Sequence, residues 1–592
     1  MLSLNAQTID SLEVTRKVDS LIKISRDLTA KRIFDKAIEI NGEAEKLVFE
    51  NLNQYNSLYA NCCFNKGRIL FFKGDYKESE NWYLKSLSMR EKILGRNHPD
   101  FAWSLNNLGL LYNRTGQYNK ALEFLMESRA IREKVYGNEH PDYLASQTNI
   151  ANVYLALNNF EMAEAIYLEI KEIRDKISST ENIEYAGNLI NLGIVYGNQS
   201  NYDKSIEFLQ LAKRLFESKL KNLDHPFYIN CLNNLGLTLK EAGQFEKAEP
   251  LLLQSNEIWM NTVGKQHPNY ANSLTNLANL YSQLGQFKKA EQFLLESMEI
   301  RKKILGTEHT DYAQTLNNLA SFYFKFKEFD KALNLFNDAK LIYSNSIGQQ
   351  SQLYATVLFN IGNVYLAMQD FKNAYSNCMT ARSIYEKSFG KENLEYAQCQ
   401  QKLGEIEYNQ HHFKAAIDFT LDAKNIIAKN QGTKHPLYLE VISQLADIHI
   451  SSGENSNAVK YLIESSDLFH SQIINAVYFL SESEMAQYLE TFKKYQFRLL
   501  AYVHQNPESE EILNLCMNNA LFYKGFLLDA YNQFKRLALK DQHILDKYSL
   551  LKSFGRRLAV EYTKPINEQE QVEFLQAKYN ELEKEILKGI SG

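Results

Sequence analysis

A landmark that returns every 42 residues constrains this chain more than any other feature. A small residue recurs at Gly67, Gly109, Ala151, Gly193, Gly236, Ala278, Ala320, Gly362, Gly404 and Ala446. An aromatic follows nine residues later, at Tyr76, Tyr118, Phe160, Tyr202, Phe245, Phe287, Phe329, Phe371 and Phe413. Three residues further on stands Ala or Ser, from Ser79 and Ala121 through to Ala458. One residue inserted between Gly193 and Gly236 is the single break in register, and Phe34 with Ala37 extends the phase back into a degenerate first unit. Eleven units fit, and a fixed period of this length marks a solenoid.

Each unit reads as two helices and a loop. Gly inside a helix costs ~1 kcal/mol relative to Ala, so a site restricted to Gly, Ala or Ser needs a reason. Close approach of the second helix supplies it, and the aromatic opening that helix is expected to cap the gap between neighbouring hairpins. In the unit around Ser104–Tyr143, Leu105, Leu108, Leu111 and Tyr112 keep the three-and-four spacing of one buried face. Ala121, Leu122, Leu125, Ile131 and Val135 supply another on the second helix. One hairpin cannot bury both faces alone, whereas stacked copies can.

The Leu-Gly-x-x-Tyr, Gly-x-Tyr-x-x-Ala, Ile-Arg-Glu-Lys and His-Pro-Asp-Tyr motifs of this unit resemble the tetratricopeptide repeat, in the 42-residue form of kinesin light chains. The resemblance covers roughly residues 18 to 478. It implies an all-α fold, a right-handed α–α superhelix with a concave groove, followed by a helical C-terminal extension over 479–592.

Composition narrows the function. Residues of the AVILMFWYC set make up 45% of the 592, enough for a continuous core. Five of the 8 Pro (Pro99, Pro141, Pro226, Pro268, Pro436) share one inter-repeat loop. A net charge of −5, from 66 basic and 71 acidic residues, leaves no basic footprint and disfavours nucleic acid as a partner. No apolar run is long enough to span a bilayer. Met1–Gln7 reads either as an ordinary terminus or as the tail of a truncated signal peptide, so residues 1–17 are a separate segment and the compartment is cytoplasmic or exported, periplasmic in a bacterium.

No catalytic, metal or cofactor constellation emerges. The 6 Cys form no Cys-x-x-Cys pair, and Cys62, Cys231 and Cys399 share a repeat phase with Ser104 and Ser146, as small packing residues do. His98, His140, His225, His267, His309 and His435 fall one per repeat, a whole hairpin apart, whereas metal ligands must converge on one ion. Loop capping explains them better. There is no Gly-rich phosphate loop and no Gly-x-Ser-x-Gly.

Past Ser481 the repeat landmarks stop while helical patterns continue, with a break expected at Gln505–Glu508. A last stripe of Val572, Leu575, Tyr579, Leu582 and Ile586 fits docking on the preceding helices better than a short coiled coil. Ala520–Ala530, with the long helix after it, resembles the linker that precedes CHAT domains, caspase-like cysteine proteases found behind tetratricopeptide arrays in bacteria. The family's catalytic His and Cys would lie beyond Gly592, so none is carried over. The resemblance implies the regulatory arm of such a protease; a freestanding adaptor of the kinesin-light-chain kind is the alternative. Neither makes this chain an enzyme, and neither fixes the oligomeric state.

The expected binding site is a ladder. Asn stands two residues before the small site of the first helix at Asn65, Asn107, Asn149, Asn191, Asn234, Asn276, Asn318 and Asn360, giving way to Lys402 and Gln444. Asn is a mediocre helix former, so eight copies call for an explanation. In tetratricopeptide proteins the first helix lines the groove, which implies that Asn107 to Asn360 clamp the backbone of an extended peptide partner. An amide donates and accepts at once, and so reads peptide groups without regard to sequence. Asn152, Lys240, Asn279, Gln283, Lys325 and Asn363 would then set specificity. The structural alternative is that each Asn bridges to the adjacent hairpin.

Overall fold

The computed structural model describes residues 11–522 except 53–55, 178–182, 221, 434 and 478–492, together with scattered positions between 546 and 585. Every regular element among them is a helix, and the hairpins follow in the expected phase. They are α1 and α2 (Ser11–Ala30, Phe34–Asn51), α3 and α4 (Ser57–Lys73, Tyr76–Leu94), α5 and α6 (Pro99–Arg114, Tyr118–Tyr136), and α7 and α8 (Pro141–Ala156, Phe160–Lys176). Then come α9 and α10 (Ile183–Asn198, Tyr202–Lys219), α11 and α12 (Pro226–Glu241, Phe245–Val263), α13 and α14 (Pro268–Gln283, Phe287–Leu305), and α15 and α16 (Thr310–Lys325, Phe329–Ser346). The last three pairs are α17 and α18 (Gln352–Ala367, Phe371–Phe389), α19 and α20 (Leu394–Asn409, Phe413–Gln431), and α21 and α22 (Pro436–Ser452, Asn455–Val477). Odd-numbered helices are called A and even-numbered ones B. The array is an all-α repeat superhelix, divided into two compact units at Cys399/Gln400.

The landmarks fall where the spacing places them. The recurring aromatic is the first residue of every B helix from α2 to α20. A Cβ added at Gly109 would lie 2.5 Å from Leu125 Cγ and 3.2 Å from the Ala121 carbonyl; at Gly236 it would lie 2.8 Å from Leu252 Cγ and 3.3 Å from the Ala248 carbonyl. The small site therefore admits both the backbone of the B helix and a large side chain from it. Where the B site is Ser, its hydroxyl adds a bond, as from Ser79 to the Gly67 carbonyl and from Ser205 to the Gly193 carbonyl, both 2.7 Å.

The loop histidines cap helices. Nδ1 of His98, His140, His225, His267, His309 and His435 accepts the backbone N–H two residues on, at 3.0–3.2 Å. This satisfies a helix N-terminal donor that lacks an intrahelical partner. The six cysteines are free and buried, and burial pushes Cys62 and Cys231 up to about 12. Burial of this kind disfavours the thiolate form.

Two recurrent bonds tie one hairpin to the next. The Tyr of Leu-Gly-x-x-Tyr donates to a Glu on the preceding B helix: Tyr112 to Glu80, Tyr196 to Glu164, Tyr281 to Glu249 and Tyr323 to Glu291, at 2.6–2.8 Å. The Arg of Ile-Arg-Glu-Lys reaches forward from the B helix. Arg90 Nη1 donates to the Asp100 carbonyl and Ser104 Oγ, and Arg132 Nη1 to the Asp142 carbonyl and Ser146 Oγ, at 2.8–3.0 Å. Arg301 makes the same pair with the Asp311 carbonyl and Thr315.

One boundary needs correction. Residues 11–17 do not belong to a separate N-terminal segment, because α1 begins at Ser11; residues 1–10 of the expected 1–17 segment lie outside the described residues. Val14, Val18 and Ile22 form the buried stripe of α1 against Ala44, Val48 and Tyr59. Three-and-four spacing was present there, but the degenerate small site, Ser25, hid it.

In the second unit, α23 (Lys493–Gln505) and a helix over 510–522 follow the array, with the expected break between them. Arg498 pairs with Asp447 of α21, Ser466 of α22 bonds to Asn519 at 3.1 Å, and Leu499, Tyr502 and Ile512 are buried. Within the last stripe Leu575 and Leu582 are buried, while Val572 and Ile586 lie outside the described residues, as do most of Ala520–Ala530.

Candidate functional site

Consecutive A helices pack against one another, α5 on α7, α9 on α11, α11 on α13 and α15 on α17, more closely than consecutive B helices do. The hairpins of the first unit therefore fan out on their B side, and the A helices line the inside of the curve. Two clefts open on that inner face. The larger, 590 Å³, crosses α7, α9 and α11; the smaller, 380 Å³, crosses α11 and α13. Asn230 lines both, so the two clefts adjoin at α11 and together touch four A helices.

The groove is rich in amides. Asn149, Asn152, Asn188, Asn191, Asn230 and Asn234 line the larger cleft over a floor of Ile170, Ile190 and Ile194. Asn233, Asn269, Asn272 and Asn276 line the smaller, beside Trp259 and Arg301. Charge is sparse: Asp142, Arg174 and Glu184 in the first, Arg301 in the second. Burial lowers the Arg174 pKa while Glu184 opposes the shift. Asn188 is 4% exposed; its amide donates to the Tyr167 carbonyl at 3.0 Å, and its Oδ1 has no partner among the described residues. A buried acceptor in that state costs free energy until a donor reaches it.

The ladder divides between the two roles. Asn149, Asn191, Asn234 and Asn276 line the groove; Asn107, Asn318 and Asn360 lie outside both clefts. The bridging role is also present. The Asn149 amide donates to Asn106, Asn276 to Asn233 and Asn360 to Asn317, each one hairpin back, at 2.8–3.0 Å. Asn107 and Asn234 donate instead to the carbonyl four residues earlier, Asn318 accepts from Gln314, and Asn65 is buried among Ser25, Asn41 and Arg26. Of the expected specificity residues, Asn152 lines the groove and accepts from Tyr167 Oη at 2.6 Å, while Lys240 is buried beside Glu241.

The position four residues before the ladder was missed as a groove position. It is Ala145, Gly187, Asn230 and Asn272 in the groove, but Trp103, Gln314 and Thr356 beside the ladder residues that lie outside it. Residues four apart share a helix face. Ala145 and Gly187 leave room in the larger cleft, and Asn230 and Asn272 add amides to the lining, whereas Trp103 fills the corresponding space beside Asn107.

Among the described residues no group of His, Cys, Asp and Glu comes together in a way that would hold a metal, and no helix is long and apolar enough to cross a membrane. Comparison with known proteins agrees with the repeat. The tetratricopeptide repeat model matches residues 58–134, 100–176, 184–255, 242–303, 281–345, 311–374 and 353–426, which together make up more than half of the chain. The chain belongs to the tetratricopeptide repeat family. No curated protein matches it in sequence.

Among solved structures, the nearly identical TPR-like repeats of a Podosopora anserina protein named as a kinesin light chain share 27% identity over 35% of this chain and 97% of theirs, with a TM-score of 0.29. BtubC of P. vanneervenii gives 23%, 40%, 92% and 0.33 for the same four quantities. A Rap protein in complex with competence and sporulation factor gives 16%, 70%, 99% and 0.42. As a tetratricopeptide array, the chain is a scaffold for protein–protein interaction.

Proposed function

We propose that α7, α9, α11 and α13 bind an extended stretch of a partner polypeptide, and that the chain acts by binding rather than by catalysis. The amide-lined groove made of the two clefts that adjoin at Asn230 carries this reading. Its amides can meet peptide N–H and C=O groups alternately, and the orphaned Asn188 Oδ1 offers an acceptor to a ligand donor.

The double change Asn234→Ala and Asn276→Ala tests it, using a dodecapeptide selected from a random phage-displayed library on the full chain. At ~1 kcal/mol net per bond, losing two contacts lowers affinity about 30-fold while melting barely moves. Collapsed melting with unchanged affinity of the folded fraction would make the ladder a scaffold element and remove the groove's main support.

Ala520–Ala530 supports a finer reading, the regulatory arm of a caspase-like protease; a freestanding adaptor is the alternative. The coding sequence downstream of Gly592 separates them. A caspase-like domain with its His and Cys favours the first, and a stop codon the second.

A further inference from the structure

Three successive hairpin loops of the first unit touch hairpins that come between five and six repeats later. Tyr76 Oη lies 3.2 Å from Thr310 Oγ1, 234 residues on. Tyr118 Oη donates to Gln352 Oε1 at 2.6 Å across the same separation. The Asn158 amide donates to both carboxylate oxygens of Glu395, at 2.8 and 2.9 Å. Arg114 Nε donates to Tyr76 Oη, and its Nη2 meets Asp311 Oδ1 at 2.5 Å. The backbone approaches too: a Cβ on Gly74, whose φ is +91°, would lie 3.0 Å from the His309 ring. Tyr76, Tyr118, His309, Thr310 and Ser351 are buried along this seam.

The sequence departs from its own repeat at these places. The residue opening the B helix is Phe at 34, 160, 245, 287, 329, 371 and 413, but Tyr at 76 and 118, with Tyr202 the remaining exception. The residue after the loop cap is Pro at 99, 141, 226, 268 and 436, but Thr310, Gln352 and Leu394 along the seam, with Ser57 and Ile183 the remaining exceptions. Pro is the favoured first residue of a helix, and Phe fills the gap between hairpins as Tyr does. Neither exchange improves a hairpin, whereas together they place a hydroxyl opposite a polar partner.

We propose that this seam is a clasp: it holds the first unit's coil closed over the arc that bears the groove, and its opening admits the polypeptide partner. The proposal rests on the groove reading above. The hairpin interfaces within the arc are continuous and apolar, whereas the seam is a short row of polar contacts, one exposed ion pair that salt screens and one ring contact, Tyr118 against Phe389 at 5.4 Å. Small rotations at each of the intervening interfaces add up at the seam, so it parts while the hairpins stay intact.

The test is a spin-label distance between Lys77→Cys and Glu308→Cys, exposed residues on its two sides, in the full chain, whose native cysteines are buried. The expected result is one narrow short distance. With Tyr76→Phe, Tyr118→Phe and Asn158→Ala added, a second population more than 10 Å longer should appear at unchanged melting, and the association rate of the selected dodecapeptide should rise at least fivefold. An unchanged distance distribution, or a broad one already in the parent, overturns the clasp and leaves the groove standing. A second population without a faster association rate overturns its gating role. Loss of peptide binding in the Asn234→Ala/Asn276→Ala protein bears on the groove alone.

Discussion

Gly109→Leu should destabilise the third hairpin by ~1–3 kcal/mol or more, the cost of overpacking a filled core. The added Cβ alone would lie 2.5 Å from Leu125 Cγ, and Leu125 is fully buried, with nowhere to retreat. Leu is the better helix former by ~1 kcal/mol, so a net loss despite that gain isolates the steric term. Because each repeat touches its neighbours, hydrogen exchange should quicken from α3 to α8 and fade beyond. A smaller effect should appear at 351–352, which Gly116 and Tyr118 touch across the seam. Uniform loss of protection along the chain would contradict a nearest-neighbour array.

Removing residues 479–592 should have the other large effect. Within the second unit, α23 and the helix over 510–522 lie on α22, where Leu462, Ser465, Ser466 and Phe469 face Gln496, Arg498, Leu499 and Asn519. Leu462 is 1% exposed and Phe469 2%, and full burial of such side chains contributes ~1.5–3 kcal/mol each. An uncapped solenoid end presents a bare core. The truncated chain should aggregate or lose protection in α21 and α22; a monomer with unchanged melting would show that the C-terminal helices fold independently and are merely tethered.

The repeat itself was legible because period 42, the small site and the aromatic are local features that the hairpin enforces in every copy. Gly109 against Leu125 and Tyr118 at the head of α6 stand as the spacing requires. The pitch was not legible. How far each hairpin rotates on the last is set by many small contacts, so nothing in the period announces that Tyr118 meets Gln352. Its trace is the exchange of Phe for Tyr and Pro for Thr or Gln, visible once the partners are known. The ladder was legible as a row of amides but not as a groove. Asn107 and Asn149 are the same residue in the same phase, and the room beside them is decided by Trp103 in one case and Ala145 in the other. The Arg132 pin went unread because its acceptor, Ser146, belongs to the next repeat.

The central claim is that the inner face of the A helices holds the partner. Site-specific photocrosslinking tests it most directly, with p-benzoylphenylalanine replacing Asn191 or Asn230 in the groove, or Leu211 or Leu253, which are 39% and 41% exposed on B helices. Each protein is irradiated with the selected dodecapeptide. Adducts should form at 191 and 230 and be absent at 211 and 253. Capture at 211 or 253, with none at 191 and 230, would place the binding surface on the outer face and contradict the account.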